Sequence, residues 1–372
     1  MSVPDPAGSP RPARLARVRA AMEAAGVDAL LLSLGADLPW LSGYEAMPLE
    51  RLTMLVVPFD APATLVVPGL EAPRVEPDGA VFDIRPWAES EDPVAIVASL
   101  VGSRSHLAVS DRTWATFVLG LQEARPAAVW SRASAVTGPL RAVKDSAEIE
   151  FLAAASAAAD RVAADLLGGA IPLIGRTEAD VSADIGRRLV AEGHQRVNFA
   201  IVGSGPNSAS PHHDPGGRRI GAGEAVVCDF GGSLHGYCSD ITRTVFTGTP
   251  PPEFAALYEV LEDAQAASVA AARVGTTCEA VDAAARDRIS DAGFGDAFMH
   301  RTGHGIGLEE HEDPYIVAGN DVALVAGHAF SVEPGIYLAG RFGARIEDIV
   351  VAAPGGPRSL NQADHSLTVV EA

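Results

Sequence analysis

Six residues of one segment recur in the same order a hundred positions later. Gly175, Thr177, Val181, Arg188, Leu189 and Gly193 correspond to Gly275, Thr277, Val281, Arg288, Ile289 and Gly293. Within the first copy, Val181, Ile185 and Leu189 fall on one stripe and Gly193 supplies a stop, so Thr177 to Glu192 reads as an amphipathic helix. Ahead of it, Asp145-Ser-Ala-Glu148 has capping-box spacing and opens a long Ala-rich helix that runs to about Leu167 and ends at Gly168-Gly169. Reactive groups repeat in the same order. One helix pair precedes Gly203-Ser-Gly205, His212, Asp229 and Asp240; the next precedes Gly303-His-Gly305, His311, Glu333 and Glu347. We infer a duplicated unit whose halves face each other across a pseudo-twofold axis, each delivering two carboxylates from strands and one His from a loop. His304 breaks the symmetry, standing where the first half has Ser204.

Two strands are expected at Val226–Phe230 and Tyr237–Phe246, joined through Gly231, Gly232 and Gly236, so that Asp229 and Asp240 reach one ion if they share a face. Strand alternation turns Cys228 away from Asp229, as a small buried hydrophobe, and Cys238 is read as packing, not ligation. Three glycines around His304 allow close backbone approach and positive φ. Their spacing is not Gly-x-Gly-x-x-Gly, which removes a dinucleotide site. Four carboxylates and one imidazole suit Mn, Co, Fe or Zn better than soft-metal chemistry. Four converging carboxylates alone would repel and raise one another's pKa values. Two divalent cations supply 2 × (+2) against 4 × (−1), and the expectation is a dinuclear metal hydrolase.

The 372 residues suffice for two domains, and 48% hydrophobic with 20% charged residues is an ordinary folded composition. A net charge of −20 argues against a nucleic-acid partner. No apolar run reaches membrane-spanning length, and the N-terminus lacks the regions of a signal peptide, so a soluble cytoplasmic protein with no membrane partner is expected. Cys228, Cys238 and Cys278, odd in number and irregularly spaced, suit a reducing compartment. Residues 1–12 read as a Pro-rich tail. After them a helix at Leu15–Ala25, strands at 29–33, 53–58 and 63–67, and a helix at Pro93–Val101 imply an α/β domain. Gly35 and Gly43 stand alone, so no phosphate loop is read there; a structural or oligomerising role fits, with Trp40 and Tyr44 at a substrate entrance. The boundary falls near Pro139–Lys144 and divides 1–139 from 140–372.

From about residue 140 to 351 the motifs resemble, in order, those of the Xaa-Pro peptidases of the pita-bread metallopeptidase family, which includes proline dipeptidase and aminopeptidase P. The motifs are the run from Gly203 to His212, Asp229-Phe-Gly-Gly, Ser239-Asp-Ile-Thr-Arg-Thr, Thr302-Gly-His-Gly-Ile-Gly-Leu, His311-Glu, Val332-Glu-Pro-Gly-Ile-Tyr and Arg345-Ile-Glu-Asp. The resemblance implies an α+β fold, a C-terminal pita-bread catalytic domain of helix pairs and curved antiparallel sheet after a smaller N-terminal α/β creatinase-type domain. It implies Asp229, Asp240, His304, Glu333 and Glu347 as ligands of two divalent ions, Mn foremost with Co, Fe or Zn as substitutes. Asp240 and Glu347 would bridge both ions, and a hydroxide held between them would be the nucleophile. Glu333 falls on the family's general base, His212 and His311 on its substrate-positioning histidines with His213 second in rank, and Arg345 on an arginine that orients a site carboxylate. Phe199 and Ile306 fall on the apolar walls for the proline ring. The substrate implied is a proline-containing dipeptide or short peptide, and the assembly a homodimer. An Xaa-Pro bond carries no N–H for a protease to grip, a need that metal polarisation of the carbonyl avoids. Dipeptidase and aminopeptidase stay open. The other readings are a metal-dependent hydrolase of another small amide, a metal-free creatinase-like relative that would lack this ligand set, a methionine aminopeptidase that would not need the first 140 residues, and a catalytically silent binding protein.

Overall fold

Short apolar runs bounded by Gly, Pro and Asp become buried strands in the first part of the chain. The computed structural model describes residues 11–370, and the chain divides into two compact units, one ending at Arg141 and one beginning at Ala142. The first contains α1 (Arg11–Ala25), β1 (Ala29–Leu32), α2 (Asp37–Ser42), β2 (Met54–Pro58), β3 (Ala63–Pro68), β4 (Phe82–Trp87), α3 (Pro93–Val101), β5 (His106–Val109), α4 (Ala115–Ala124), β6 (Val129–Arg132) and α5 (Ser134–Ala142). Its six strands lie in the order β4-β3-β2-β1-β5-β6. β1, buried at all four residues, sits between antiparallel β2 and parallel β5. An uninterrupted apolar sequence suits a strand covered on both faces. Arg11 and Pro12 open α1 instead of belonging to a tail; the rest of the expected tail lies outside the described residues. Trp40 and Tyr44 line no entrance. They are 1% and 5% exposed, Trp40 beneath the Arg14 guanidinium and Tyr44 donating to Glu71 at 3.0 Å.

The second unit contains α6 (Ser146–Leu167), α7 (Glu178–Ala191), β7 (Arg196–Ser204), β8 (Ala225–Leu234), β9 (Tyr237–Cys238), β10 (Ile241–Thr247), α8 (Pro252–Ala271), α9 (Cys278–Asp291), β11 (Gly303–Gly305), β12 (Glu312–Ile316), β13 (Ala329–Val332), β14 (Gly335–Leu338), β15 (Phe342–Arg345), β16 (Asp348–Val351), β17 (Arg358–Ser359) and β18 (Thr368–Val370). Asp145 and Glu148 form the reciprocal capping box that starts α6. One sheet runs β18-β10-β8-β7, the other β12-β11-β13-β16-β17, with β14 and β15 as a separate hairpin. α6 and α7 bury Val162, Leu166, Val181, Ile185 and Leu189 against Val226, Cys228 and Phe230 of β8. In the second half, Cys278 and Val281 of α9 pack on Phe330, Val332 and Val350. This is the α+β, pita-bread architecture with an α/β unit ahead of it.

The repeated glycines and threonines have matching work. Thr177 and Thr277 cap α7 and α9 with their hydroxyls. Gly175 and Gly275 hold φ of 81° and 90° and donate to Ile220 O and Leu324 O, each at 2.8 Å. Each pins a helix start to an extended segment two residues later, at the bridges Thr177↔Arg219 and Thr277↔Ala323. The two sheets meet where Thr242 bridges Glu347. There the Arg243 guanidinium donates to Glu347 O and to Asp348 Oδ1, both at 2.8 Å.

The turn between the aspartates differs from expectation. Gly231 and Gly232 lie inside β8, and the reversal is made by His235 and Gly236, both with positive φ (53° and 82°). Such a pair fits a two-residue hairpin loop whose twist matches its strands. The two strand glycines serve close approach instead: a Cβ would stand 2.1 Å from Ser239 O at Gly231 and 2.5 Å from Arg196 O at Gly232.

Candidate metal centre

Each half offers one carboxylate from its central strand and one from just before the neighbouring strand. Asp229 lies on β8 opposite Thr242, and Asp240 immediately precedes β10. Glu333 immediately follows β13, and Glu347 immediately precedes β16. His304 is the middle residue of β11. That strand is seated so deeply that a Cβ would fall 1.8 Å from Ser331 O at Gly303 and 2.2 Å from Asp313 O at Gly305. None of the three glycines there takes the positive φ expected; close approach alone explains them.

Asp240, His304 and Glu347 present ligand atoms that all lie within 4.8 Å of one another. His304 Nε2 stands 3.3 Å from Glu333 Oε1 and 3.8 Å from Asp240 Oδ2. Asp229 joins through Arg345, whose Nη2 donates to its Oδ2 at 2.6 Å. These six, with Phe199, His212 and His311, line one cavity of about 440 Å³. Ile306 does not: it is fully buried away from that wall, its N–H donating to Ala329 O at 3.1 Å. His213 turns instead to Glu178, at 2.8 Å. Cys228 and Cys238 are buried off the wall, and burial pushes both thiols up to about 12. Sequence reasoning passed over Ile201, Pro211, His300, Arg301 and Glu310 on the wall, and Thr242 and Tyr337 behind it. Thr242 Oγ1 donates to Glu347 Oε2 at 2.6 Å and accepts from Arg345 Nε at 3.0 Å. Tyr337 Oη accepts from Arg345 Nη1 and meets His300 Nε2, each at 2.9 Å. Burial drives His300 down to about 4, and its Nδ1 donates to Arg301 O at 2.7 Å, so Nε2 is the acceptor that takes the tyrosine proton.

The electrostatics identify what this cluster needs. Asp240 and Glu347, 4% and 2% exposed, are held well above the carboxylate range by burial first, then Asp240 by the charges of Glu347, Asp229 and Glu333, and Glu347 by those of Glu333 and Asp229. Burial brings Glu333 up to about 7. Burial and neighbouring His311 bring His304 down to about 3, so its imidazole is neutral. Its Nδ1 contacts Gly305 O at 3.1 Å and must be the N–H there. The lone pair on Nε2 therefore faces the carboxyl oxygens of Asp240 and Glu333, acceptor against acceptor wherever these are ionised. Asp229 Oδ1 and Asp240 Oδ1 are buried with no hydrogen-bond partner. Unpaired buried acceptors are costly, and a divalent cation is the one partner that satisfies four carboxylates and an imidazole lone pair together. The residues present fit such ions.

Residues 150–354 match the model of metallopeptidase family M24, and residues 14–143 that of the creatinase/prolidase N-terminal domain. The chain is 46% identical to the probable dipeptidase PepE of Mycobacterium tuberculosis, over 96% of each chain. It is 36% identical to the Xaa-Pro dipeptidase of Lactobacillus helveticus, over 92% of this chain and 95% of that one. Among solved structures, dipeptidase PepE from Mycobacterium ulcerans superposes with a TM-score of 0.92 at 46% identity, covering 99% of this chain and 100% of that one.

Proposed function

The chain belongs to metallopeptidase family M24, and from that membership we propose that it hydrolyses Xaa-Pro peptide bonds at the N-terminus of dipeptides or short peptides. The carrying observation is the His304 Nε2 lone pair aimed at buried carboxylates. Asp229, Asp240, His304, Glu333 and Glu347 would hold two divalent ions, Asp240 and Glu347 shared between them. When bound, such ions polarise a substrate carbonyl and acidify water enough to supply a nucleophile at neutral pH.

The chain's own residues supply the remainder. Ser331 Oγ donates to Glu333 Oε1 at 3.0 Å, which leaves Oε2 as the atom that accepts a proton. Arg301 Nη2 faces His311 Nδ1 at 3.4 Å, which makes Nδ1 the acceptor and Nε2 the donor. That N–H is available to the oxyanion that develops as the carbonyl is attacked, and His212 shares the same wall. Arg345 fixes Asp229 while Tyr337 and Thr242 fix Arg345. Phe199, Ile201 and Pro211 supply apolar wall for a pyrrolidine ring. The specific substrate rests on the relative named Xaa-Pro dipeptidase. The O/N donor set suits Mn, with Co, Fe or Zn as substitutes. A reducing cytoplasm suits three free buried cysteines, and a homodimer suits exposed Met47, Leu49 and Leu70.

The test is proline release from Ala-Pro by protein reconstituted with Mn or Co, beside Ala-Ala and a chelated control. Metal-stimulated cleavage of Ala-Pro is expected. Protein that carries its ions yet releases no proline from any Xaa-Pro substrate refutes the proposal.

A further inference from the structure

Three of the four carboxylates at the metal centre are held by a side-chain donor. Arg345 Nη2 donates to Asp229 at 2.6 Å, Ser331 Oγ to Glu333 at 3.0 Å and Thr242 Oγ1 to Glu347 at 2.6 Å. Asp240 has no such donor among the described residues. Its Oδ1 is buried without a partner, and its Oδ2 stands 3.8 Å from His304 Nε2, beyond hydrogen-bond reach. The placement of Asp240 is therefore set by the backbone that carries it, and Ser239 anchors that backbone. Ser239 is fully buried. Its N–H donates to Gly232 O at 2.8 Å, and its Oγ accepts from the Gly232 N–H at 3.2 Å. The hydroxyl proton goes to His194, whose Nε2 lies 2.8 Å from Oγ, in preference to Gly232 O at 3.3 Å.

The histidine is built for that contact. Burial lowers its pKa and the ring is neutral; Nδ1 lies 3.1 Å from Leu189 O, which can only accept, so Nδ1 carries the proton and Nε2 the lone pair. One string of hydrogen bonds thus runs from the end of α7 to the residue before Asp240. The Gly-Gly pair after Asp229 seats it: a Cβ at Gly232 would stand 2.8 Å from His194 Cδ2, and one at Gly231 2.1 Å from Ser239 O. The second half shows that the duplicated fold does not itself demand the string. Phe294 stands where His194 does, each following a stop glycine, and their N–H groups donate to Leu189 O and Ile289 O at 3.1 and 2.9 Å. Ile346, before Glu347, takes the place of Ser239, and Phe294 and Ile346 belong to one apolar cluster. Packing suffices where Thr242 holds Glu347 directly; Asp240, without a donor, has a directional bond behind it. Resting on the reading of Asp240 as a ligand, we propose that His194 is a positioning residue for Asp240, acting through Ser239, and that the bond between them sets the affinity of the centre for divalent ions. Ligand distances have to hold within about 0.2 Å, so a small shift of Ser239 is felt at the ion.

The test is calorimetric titration of Mn ions into the metal-free full chain. Wild type is compared with His194→Phe, His194→Gln, Ser239→Ala and the His194→Phe, Ser239→Ala double variant, with circular dichroism to establish that each is folded. His194→Phe installs the residue of the second half and keeps a ring against Gly232 while removing both nitrogens. It and Ser239→Ala are each expected to weaken Mn binding by about 10- to 100-fold, the loss that follows removal of an outer partner. Because the two act through one bond, the double variant should match the worse single within about twofold, whereas independent effects would multiply. His194→Gln, whose amide offers a donor and an acceptor, should recover part of the loss. Variants that melt lower yet bind Mn within about twofold of wild type would give His194 a structural role alone and overturn the inference, as would multiplied losses. Should His194→Phe fail to fold, Ser239→Ala decides: unchanged affinity in that variant overturns the inference by itself. Proline release from Ala-Pro, measured in parallel, separates this from the peptidase reading. Wild type that binds Mn and cleaves nothing, with binding weakened in the variants, keeps the role of His194 and discards Xaa-Pro hydrolysis. Wild type that binds no Mn overturns the metal centre and this inference together.

Discussion

His304 donates one ring proton to its own backbone neighbour and turns the other nitrogen, as an acceptor, toward Asp240 and Glu333. Besides the protons that the raised carboxyls of Asp240 and Glu333 take up, that conflict has two lasting cures, a cation or a permanent donor in place of an acceptor. Asp240→Asn supplies the second, because its amide can offer N–H to Nε2 and removes one of the repelling carboxylates. The expected result has two opposite signs. Metal binding and activity are lost, while the metal-free variant melts about 2–4 °C above the metal-free wild type, the shift that about 1 kcal/mol gives a protein of this class. Melting curves in chelator with parallel metal analysis check it, and a lowered midpoint would count against acceptor crowding. Arg345 makes the complementary case. Its three contacts to Asp229, Thr242 and Tyr337 use separate nitrogens, which a single ammonium cannot reproduce. Arg345→Lys should keep the fold and reduce metal affinity or kcat by about 10- to 100-fold, as loss of an outer partner does, read by titration with Mn and by steady-state kinetics.

Strand β11 shows how an element is set by what it lacks. With glycine on both sides of His304, its backbone comes so near β13 and β12 that any Cβ would overlap Ser331 O or Asp313 O. Gly303→Ala should therefore displace β11, with a loss of about 1–3 kcal/mol for overpacking and a larger loss of metal occupancy, measured by urea denaturation and metal analysis; unchanged occupancy would show that His304 tolerates the shift. The glycines were visible in the sequence, but their purpose was not, since positive φ and close approach read alike there. Gly231 and Gly232 were taken for a turn for the same reason, while His235, the turn's other residue, carries no glycine signal. Local patterns transferred well: the capping box at Asp145, the stop at Gly193, the limits of α3 and the burial of Cys228 depend on neighbours in sequence. Tyr337 and His300 escaped because their importance lies in a hydrogen-bond string with Arg345. Trp40 was misplaced because an aromatic residue near glycines reads equally as wall or core.

Across the whole second unit, the acidic cluster sits where two similar halves join. Arg243 of one sheet and Asp348 of the other, each side chain 1% exposed, pair at the same seam, so what happens at the cluster bears on whether the halves stay together. This gives the metal-free protein a distinctive pH response. Glu333 at about 7, with Asp240 and Glu347 well above their ordinary values, means that the folded state binds more protons than the unfolded chain, whose Glu and Asp titrate near 4.5 and 3.8. Stability from these groups is present at low pH and is lost as pH rises through the folded values. The histidines act oppositely: His304 near 3, and His300 and His328 near 4, lie below the unfolded value of 6.5, so their contribution grows with pH and levels off about one unit above 6.5. Between about pH 7.5 and pH 9 only the carboxylates among these groups still change. Metal-free protein should lose on the order of 1–2 kcal/mol over that interval, at about 1.4 kcal/mol per pKa unit, whereas ions that replace the protons should hold the loaded protein level. Urea midpoints at both pH values, with and without chelator, measure the difference directly. Parallel slopes would mean that the acids are already compensated in the absence of metal, and the cluster would then be a structural feature of the seam.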